Sequence, residues 1–443
     1  MDQVFGQIIP RNEVDVLTIQ PRHGPGAVSD LRSGRDKYFF PTWPCKLQGT
    51  FPHEWFSTHN ERAWISEDFG GYSSPKLGLV CKESPARLLA VPKTFKGPRL
   101  IASEPTAHQF LQQGLMRWLR QHLTQPLRNS ISFTSQKPSQ EAALLASENG
   151  VLATVDLSSA SDRLSCWAVE RAFGANQSLL SALHACRTRC LVDATGTDDK
   201  LSLRLKKFAA QGSAVTFPVQ TIVYTGLCYA AVLFSENLKV NRKNLLRVSG
   251  QVRVFGDDIC LPRTAVPILS LLLETLQLKV NGQKTHTSGR FRESCGVDGF
   301  KGYDVSPCYL RAWSLGTSPD NLTSWCEVSD NAHRAGLWSL ASHMLSLIPD
   351  NVRRKTAVTN QTGDGVRLFT FVDGVSTDAP TRWDSDIQAR CHLLLKLVDK
   401  SVKKRRGSYQ DLYQYFVEDP SPETLWEAGY LSKKATLLRS TWV

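Results

Sequence analysis

Two short apolar runs, Val252-Arg253-Val254-Phe255 and Ile259-Cys260-Leu261-Pro262, are separated only by Gly256-Asp257-Asp258. A glycine turn between runs of that length predicts a β-hairpin whose tip carries two adjacent carboxylates. Like charges held so close are costly unless something positive sits beside them, and a divalent cation is the obvious partner. Upstream, the apolar run Val151 to Val155 ends at Asp156 and reads as a buried strand with a carboxylate at its C-terminal end. Strand and hairpin are expected to be neighbours, so that Asp156, Asp257 and Asp258 form one acidic set. The pair Asp198-Asp199 is an instructive control: Thr195, Thr197 and Lys200 surround it and Lys206-Lys207 follow, so it reads as a solvated turn. Burial of the flanks, not the dipeptide, separates the two.

A chain of 443 residues exceeds one simple core, so two or three lobes are expected. The net charge of +12 and a pI near 9.2 favour a polyanionic partner, since each phosphate met by Lys or Arg releases counterions. The eleven cysteines show no repeating spacing, which excludes a disulfide framework and fits a reducing cytosol. His184, Cys186 and Cys190 hint at metal spacing but lack a fourth ligand, so they read as ordinary helix residues. Met1-Asp2-Gln3-Val4 leads into no basic n-region followed by an apolar core, so no signal peptide is expected there. The longest uncharged stretch, Phe208 to Ser235, has its strongly apolar part between Ile222 and Phe234 and reads as a buried core helix rather than a bilayer span.

Along the chain, the first eighty residues are loop-rich, with Pro41, Pro44 and Pro52 punctuating Tyr38-Phe39-Phe40, Trp43 and Phe51. A compact basic stretch runs from Arg87 to Glu104, and a helix follows through Phe110, Leu115 and Trp118. Ser158, Ser159 and Ser161 form a turn after Asp156, and Asp162 is expected to cap a helix through Trp167, Val169 and Phe173. A hairpin is expected between Leu191-Val192 and Leu201 to Leu205, and an apolar helix over Ile268 to Leu278 ends before Asn281-Gly282. From about Pro307 the chain reads as mixed helix and loop, with a basic run at Lys403-Lys404-Arg405-Arg406.

Nucleotide transfer explains these residue types. Two divalent ions roughly 3.5–4 Å apart stabilise the attacking and leaving oxygens, and magnesium takes mostly carboxylate ligands. Arg87, Lys93, Lys96 and Arg99 suit a triphosphate and its leaving pyrophosphate, as charge runs on solvated faces also would. Gly212 allows close backbone approach, and Thr216 and Gln220, at i and i+4, share a helix face that could meet a ribose hydroxyl or simply start the core helix. Lys284, after Asn281-Gly282-Gln283, is a candidate proton donor to pyrophosphate.

These residues, in this order, resemble the RNA-directed RNA polymerases, and more narrowly the replicase catalytic subunit of levivirus-type (Q-beta-like) RNA phages. Asp156-Leu-Ser-Ser-Ala-Ser-Asp162 is similar to the family's first palm motif, Gln211-Gly-Ser-Ala-Val-Thr216-Phe to its second and Phe255-Gly-Asp-Asp-Ile259 to its third. Val91-Pro-Lys93-Thr-Phe-Lys96-Gly-Pro-Arg99 with Glu104-Pro105 resembles the nucleotide-phosphate motif of the fingers. Asn281-Gly-Gln-Lys284-Thr285 and Phe291-Arg-Glu-Ser-Cys-Gly296 resemble the stretch after the third motif, and Arg22-His-Gly-Pro-Gly26 an upstream segment. Phe255 stands where many polymerases carry Tyr, and its ring is expected to pack under the hairpin. The segment ahead of the basic motif is shorter than in well-known members.

The resemblance implies an α+β right-hand polymerase fold: a palm with an antiparallel sheet, fingers and a thumb. Residues 1–150 would hold an N-terminal segment and fingers with the basic motif at 87–104, 151–305 the palm with a fingers insertion around 165–210, and 306–443 the thumb and C-terminal region. Asp156, Asp257 and Asp258 would bind two Mg2+ ions, with Mn2+ as a substitute. Asp162 with Gln220 would sense the ribose 2′-hydroxyl. Lys93, Lys96 and Arg99 would meet the triphosphate, and Lys284 would be the proton donor. Substrates would be an RNA template and product and ribonucleoside triphosphates. The implied host partners are elongation factors Tu and Ts and a small-subunit ribosomal RNA-binding protein, in the cytoplasm of an infected bacterium and without a membrane. A reverse transcriptase and a non-catalytic RNA-binding protein are the competing readings.

Overall fold

The computed structural model describes residues 1–443 except 16, 25, 31–36, 38–39, 41–42, 57–78, 82, 95–96, 194–201, 309–318, 361–365, 373–374, 377, 400–435 and 443. The described residues form two compact units, the first from Met1 to Ser306 and the second from Pro307 to Asp399 with Thr436 to Trp442. Both mix helices with mainly antiparallel sheets, the α+β class expected from the sequence.

The first unit is organised around the helix Thr216–Ser235. Its sequence is apolar all round, and a helix of that kind is stable only where protein covers every face. It is the one described helix long and apolar enough to cross a membrane, and 83% of its most apolar window is buried inside the protein. It starts six residues before the apolar run at Ile222, taking in the polar Thr216 and Gln220. Ile222, Val223, Leu227 and Val232 share one core with Phe110, Trp118, Val169, Phe173 and Leu269 from the helices Thr106–Gln121, Cys166–Phe173 and Val266–Thr275. The aromatic N-terminal segment joins the same core through Phe5, Phe40, Trp43 and Phe51. Tyr38, Phe39 and Pro41 lie outside the described residues.

Against this helix lies a three-stranded antiparallel sheet in the order Leu152–Val155, Asp258–Pro262, Arg253–Phe255. A hairpin of Phe291–Ser294 and Val297–Phe300 and a two-residue ladder joining Leu157-Ser158 to Lys279-Val280 complete the surroundings. A separate four-stranded sheet carries the basic stretch: Gly97–Ser103, Ala86–Thr94, Cys190–Asp193 and Ser202–Arg204, in that order. Leu191 opposes Leu203 in its last pair, as the expected hairpin requires. The expected solvated turn, with Asp198 and Asp199, lies outside the described residues.

Two local expectations are corrected. Asp162 does not cap the following helix; it sits inside the short helix Ala160–Arg163, its amide bonded to the Ser159 carbonyl. Leu164 turns extended, and Ser165, also extended at φ −76° and ψ 156°, accepts the Ala168 N–H at 3.2 Å as the true cap of Cys166–Phe173. The apolar helix predicted to Leu278 ends at Thr275 instead. Gln277 enters the left-handed region at φ +61°, and the Leu278 N–H returns to the Leu273 carbonyl, closing the helix as a Schellman turn does.

The second unit has its own core of Leu322, Trp325, Met344, Ile348 and Leu368, built on the helices Pro319–Arg334 and Trp338–Ser346. The reading as mixed helix and loop missed its strands, among them Thr381–Asp384 paired with Ala389–Asp399. The basic run Lys403 to Arg406 lies outside the described residues.

Candidate active site

Asp258 pairs with Phe255, which leaves Gly256-Asp257 as a two-residue loop. Gly256 has φ +66°, the positive first position that a type II′ hairpin turn uses and that glycine alone adopts freely. The core helix supports the turn from below. The Gly256 N–H donates to Thr221 Oγ1 at 3.1 Å, and the Phe255 ring packs on Phe217 with centroids 4.8 Å apart, as expected for a ring under the hairpin. Asp257 is exposed at the tip.

Val155 stands opposite Ile259, so the same register continued by one residue brings Asp156 beside Asp258. Asp156 is held by the segment after the sheet. Its carboxylate accepts from Asn281 Nδ2 at 2.8 Å and its carbonyl from the Asn281 N–H at 2.9 Å, while its own N–H donates to Thr285 Oγ1 at 3.3 Å. Lys284, in the same segment, donates to Glu293 Oε1 at 2.9 Å.

The electrostatics are those of crowded acids. Burial, then the charge of Asp257, pushes the Asp258 carboxyl up to about 6, with Asp156 adding to it and the Cys295 backbone N–H offsetting part. Burial also raises Asp156; the Asn281 amide pulls it back and Asp257 raises it further. The bond to Glu293 keeps the Lys284 ammonium above its usual range, against burial and helped by Asp156 and Asp258. Hard oxygen donors that raise one another's affinity for positive charge fit a divalent cation. Among the described residues no three His, Cys, Asp or Glu side chains are grouped so that they could hold a metal ion as they stand.

Asp162 forms an ion pair with Lys207, and its short helix docks on the core helix where Tyr224 Oη donates to the Ala160 carbonyl at 2.9 Å. Gln220, one turn before Tyr224, is buried; its Oε1 has no donor among the described residues, and its Nε2 lies 3.2 Å from where a Cβ on Gly256 would be. Thr216 opens the core helix and commits its hydroxyl to the Ala210 carbonyl at 2.8 Å. Gly212, at φ +115°, does meet backbone closely, and the backbone it meets is that of Ala102. Arg87 and Arg99 are exposed, and strand alternation through Val91, which opposes Arg99, puts both on one face of the basic sheet. Lys93 belongs to the strand Ala86–Thr94; Lys96 lies outside the described residues. His184 sits 3.3 Å from Glu170, and Cys186 is fully buried.

The sequence reading did not single out Asn281, Glu293, Cys295, Lys207 or Thr221. Asn281, Glu293 and Cys295 stand inside motif stretches already noted, so position was available; their pairing across more than a hundred residues of chain, as between Asn281 and Asp156, was not.

Fold and site together define an α+β protein with crowded carboxylates at the end of an antiparallel sheet and a basic hairpin in the same unit. The family model described as RNA replicase, beta-chain matches residues 74–368, and the chain belongs to that family. The chain is 31% identical to the RNA-directed RNA polymerase beta chain of Enterobacteria phage GA, over 53% of this chain and 40% of that one. It is 30% identical to the RNA-directed RNA polymerase subunit beta of Escherichia virus Qbeta, over 63% and 45%, and to that of Qbeta virus strain MX1, over 75% and 53%. The matches thus span about half the length of these relatives or less. Among solved structures, the RNA-dependent RNA polymerase of a human picobirnavirus aligns with TM-score 0.41 and 14% identity over 60% of this chain and 57% of that one.

Proposed function

We propose that the chain is the polymerase body of an RNA-directed RNA polymerase that copies a single-stranded RNA phage genome from ribonucleoside triphosphates. The observation that carries this reading is the register that sets Asp156 beside Asp258, next to the tip holding Asp257. The names of the phage relatives support it. In this reading Asp156, Asp257 and Asp258 hold two Mg2+ ions, with Mn2+ able to substitute. Metal held there would supply Lewis-acid chemistry, easing deprotonation of the attacking hydroxyl and offsetting charge on the leaving phosphates.

The chain's own groups do the rest. Lys284, oriented and kept charged by Glu293, gives a proton to the departing pyrophosphate. Arg87, Lys93, Lys96 and Arg99 neutralise the triphosphate. Gln220 and Asp162 read the sugar: a ribose hydroxyl would satisfy the donor-less Gln220 Oε1, and Asp162 would exchange Lys207 for the 2′-hydroxyl. Thr216 and Gly212 shape the loop on that side. Residues 1–150 then serve as an N-terminal segment and fingers, 151–305 as palm with a fingers insertion around 165–210, and 306–443 as thumb and C-terminal region. Work in the infected bacterium's cytoplasm with elongation factors Tu and Ts and a small-subunit ribosomal RNA-binding protein belongs to the same reading.

The test is labelled-nucleotide incorporation on defined RNA templates, with and without bacterial host extract. Template-dependent incorporation of ribonucleotides is expected. Equal use of deoxynucleotides would contradict an RNA-specific enzyme, and no incorporation even with extract would contradict the polymerase reading itself.

A further inference from the structure

Glu104 follows the second strand of the basic hairpin and is buried, 3% exposed. Its carboxylate accepts from Gln112 Nε2 at 3.1 Å and from the Thr188 hydroxyl. Gln112, fully buried on the helix Thr106–Gln121, also donates to the Cys186 carbonyl at 2.9 Å. A carbonyl can only accept, so the amide nitrogen faces Cys186 and Glu104 and the amide oxygen must face the other way. That oxygen accepts the Ala214 N–H at 3.2 Å.

Ala214 belongs to the loop that leads into the core helix, and the loop is pinned to the basic hairpin a second time. The Ala102 N–H donates to the Gln211 carbonyl, and a Cβ on Gly212 would lie 1.9 Å from the Ala102 oxygen. Past the loop, Thr216 Oγ1 ties the helix start to Ala210, and one turn on the same helix carries Gln220 and Thr221 under Gly256. One buried carboxylate and one amide therefore link the strand bearing Arg99 to the residues beside the acidic tip.

We infer that Glu104 and Gln112 are positioning residues that fix the spacing between the basic hairpin and the loop 210–215, and so let one ribonucleotide be gripped by triphosphate and sugar at once. The inference rests on the polymerase reading for its substrate. Its physical basis is that a polar network with every partner satisfied is stiff, so the hairpin and the loop keep one spacing and one nucleotide can be bound at both ends. Neither residue touches substrate. The carboxylate orients the amide, and the amide holds the loop.

The experiment compares Gln112→Leu and Glu104→Gln with the parent in two ways. Amide hydrogen exchange at Ala214, without nucleotide, reads the loop directly: we expect exchange about tenfold faster or more in Gln112→Leu. Steady-state incorporation should then show KM for nucleotides raised about tenfold and preference for ribo- over deoxynucleotides lowered, with kcat within about threefold of the parent. Glu104→Gln, which keeps shape, moves the same quantities in the same direction and serves if Gln112→Leu does not fold. The double variant should be no worse than the worse single, since both act through one amide. Parental exchange at Ala214 overturns the inference, as does a loss of activity that follows only the folded fraction while KM and sugar preference stay put. An inactive parent counts against the polymerase reading alone, because the exchange measurement needs no turnover and still decides whether the link holds the loop.

Discussion

Burial and the charge of Asp257 lift the Asp258 carboxyl from an ordinary 3.8 to about 6. The folded value is the higher one, so this group's contribution to stability is full below about pH 4 and is lost as pH rises through about 6, a difference on the order of 3 kcal/mol. At pH 8 without metal, Asp258→Asn should therefore be more stable than the parent by roughly 1–3 kcal/mol in urea unfolding, and the gap should close toward pH 4. A variant no more stable than the parent at pH 8 would mean that the carboxylates are not in conflict. Asn281 acts in the opposite sense, since its amide favours the charged form of Asp156. Asn281→Ala should raise the Mg2+ concentration for half-maximal synthesis by about tenfold or more, the usual effect of losing a ligand's supporting hydrogen bond. An unchanged Mg2+ titration would separate Asn281 from the metal site.

Between elements, the tip depends on a helix lying beneath it. Gly256 combines φ +66° with a would-be Cβ only 3.2 Å from Gln220 Nε2 and 3.3 Å from Phe217 Cε2. Gly256→Ala should cost about 1–3 kcal/mol in thermal or urea unfolding and reduce synthesis, because relieving the strain moves Asp257. Parental stability would contradict the turn as described. The hairpin and the strand at Val155 were legible in the sequence because their signals are local: a glycine turn, apolar flanks and a carboxylate at a strand end. Asp162 was misread as a cap because Ser165, three residues on, competes for the role and has the extended backbone that capping needs. Asn281, Glu293, Glu104 and Gln112 were not legible as partners. Each acts through a contact that only the closed fold creates, and nothing in the spacing of Asn281 marks it for Asp156. In the second unit Thr381–Asp384 escaped because it is mostly exposed and carries no apolar alternation, although its partner Ala389–Asp399 is next in the chain, and Thr436–Trp442 escaped because it pairs with a segment far away in the chain.

Across the whole molecule, an excess of twelve positive charges over 443 residues favours a polyanion. Template affinity should fall steeply and linearly on a log–log plot against salt, with each phosphate contact contributing a slope of about −0.7 for single strands. A flat response would leave the basic balance without a role in RNA binding. Catalysis asks more than charge: in the proposed function three carboxylates from a strand end and a hairpin tip form one metal-dependent centre for nucleotide transfer. That centre is tested most directly by Asp257→Asn, assayed in parallel for Mg2+-dependent ribonucleotide incorporation and for template binding. Incorporation should fall by at least about a thousandfold, as for loss of a group acting only in the transition state, with template affinity within about twofold of the parent. Incorporation equal to the parent's would contradict such a centre.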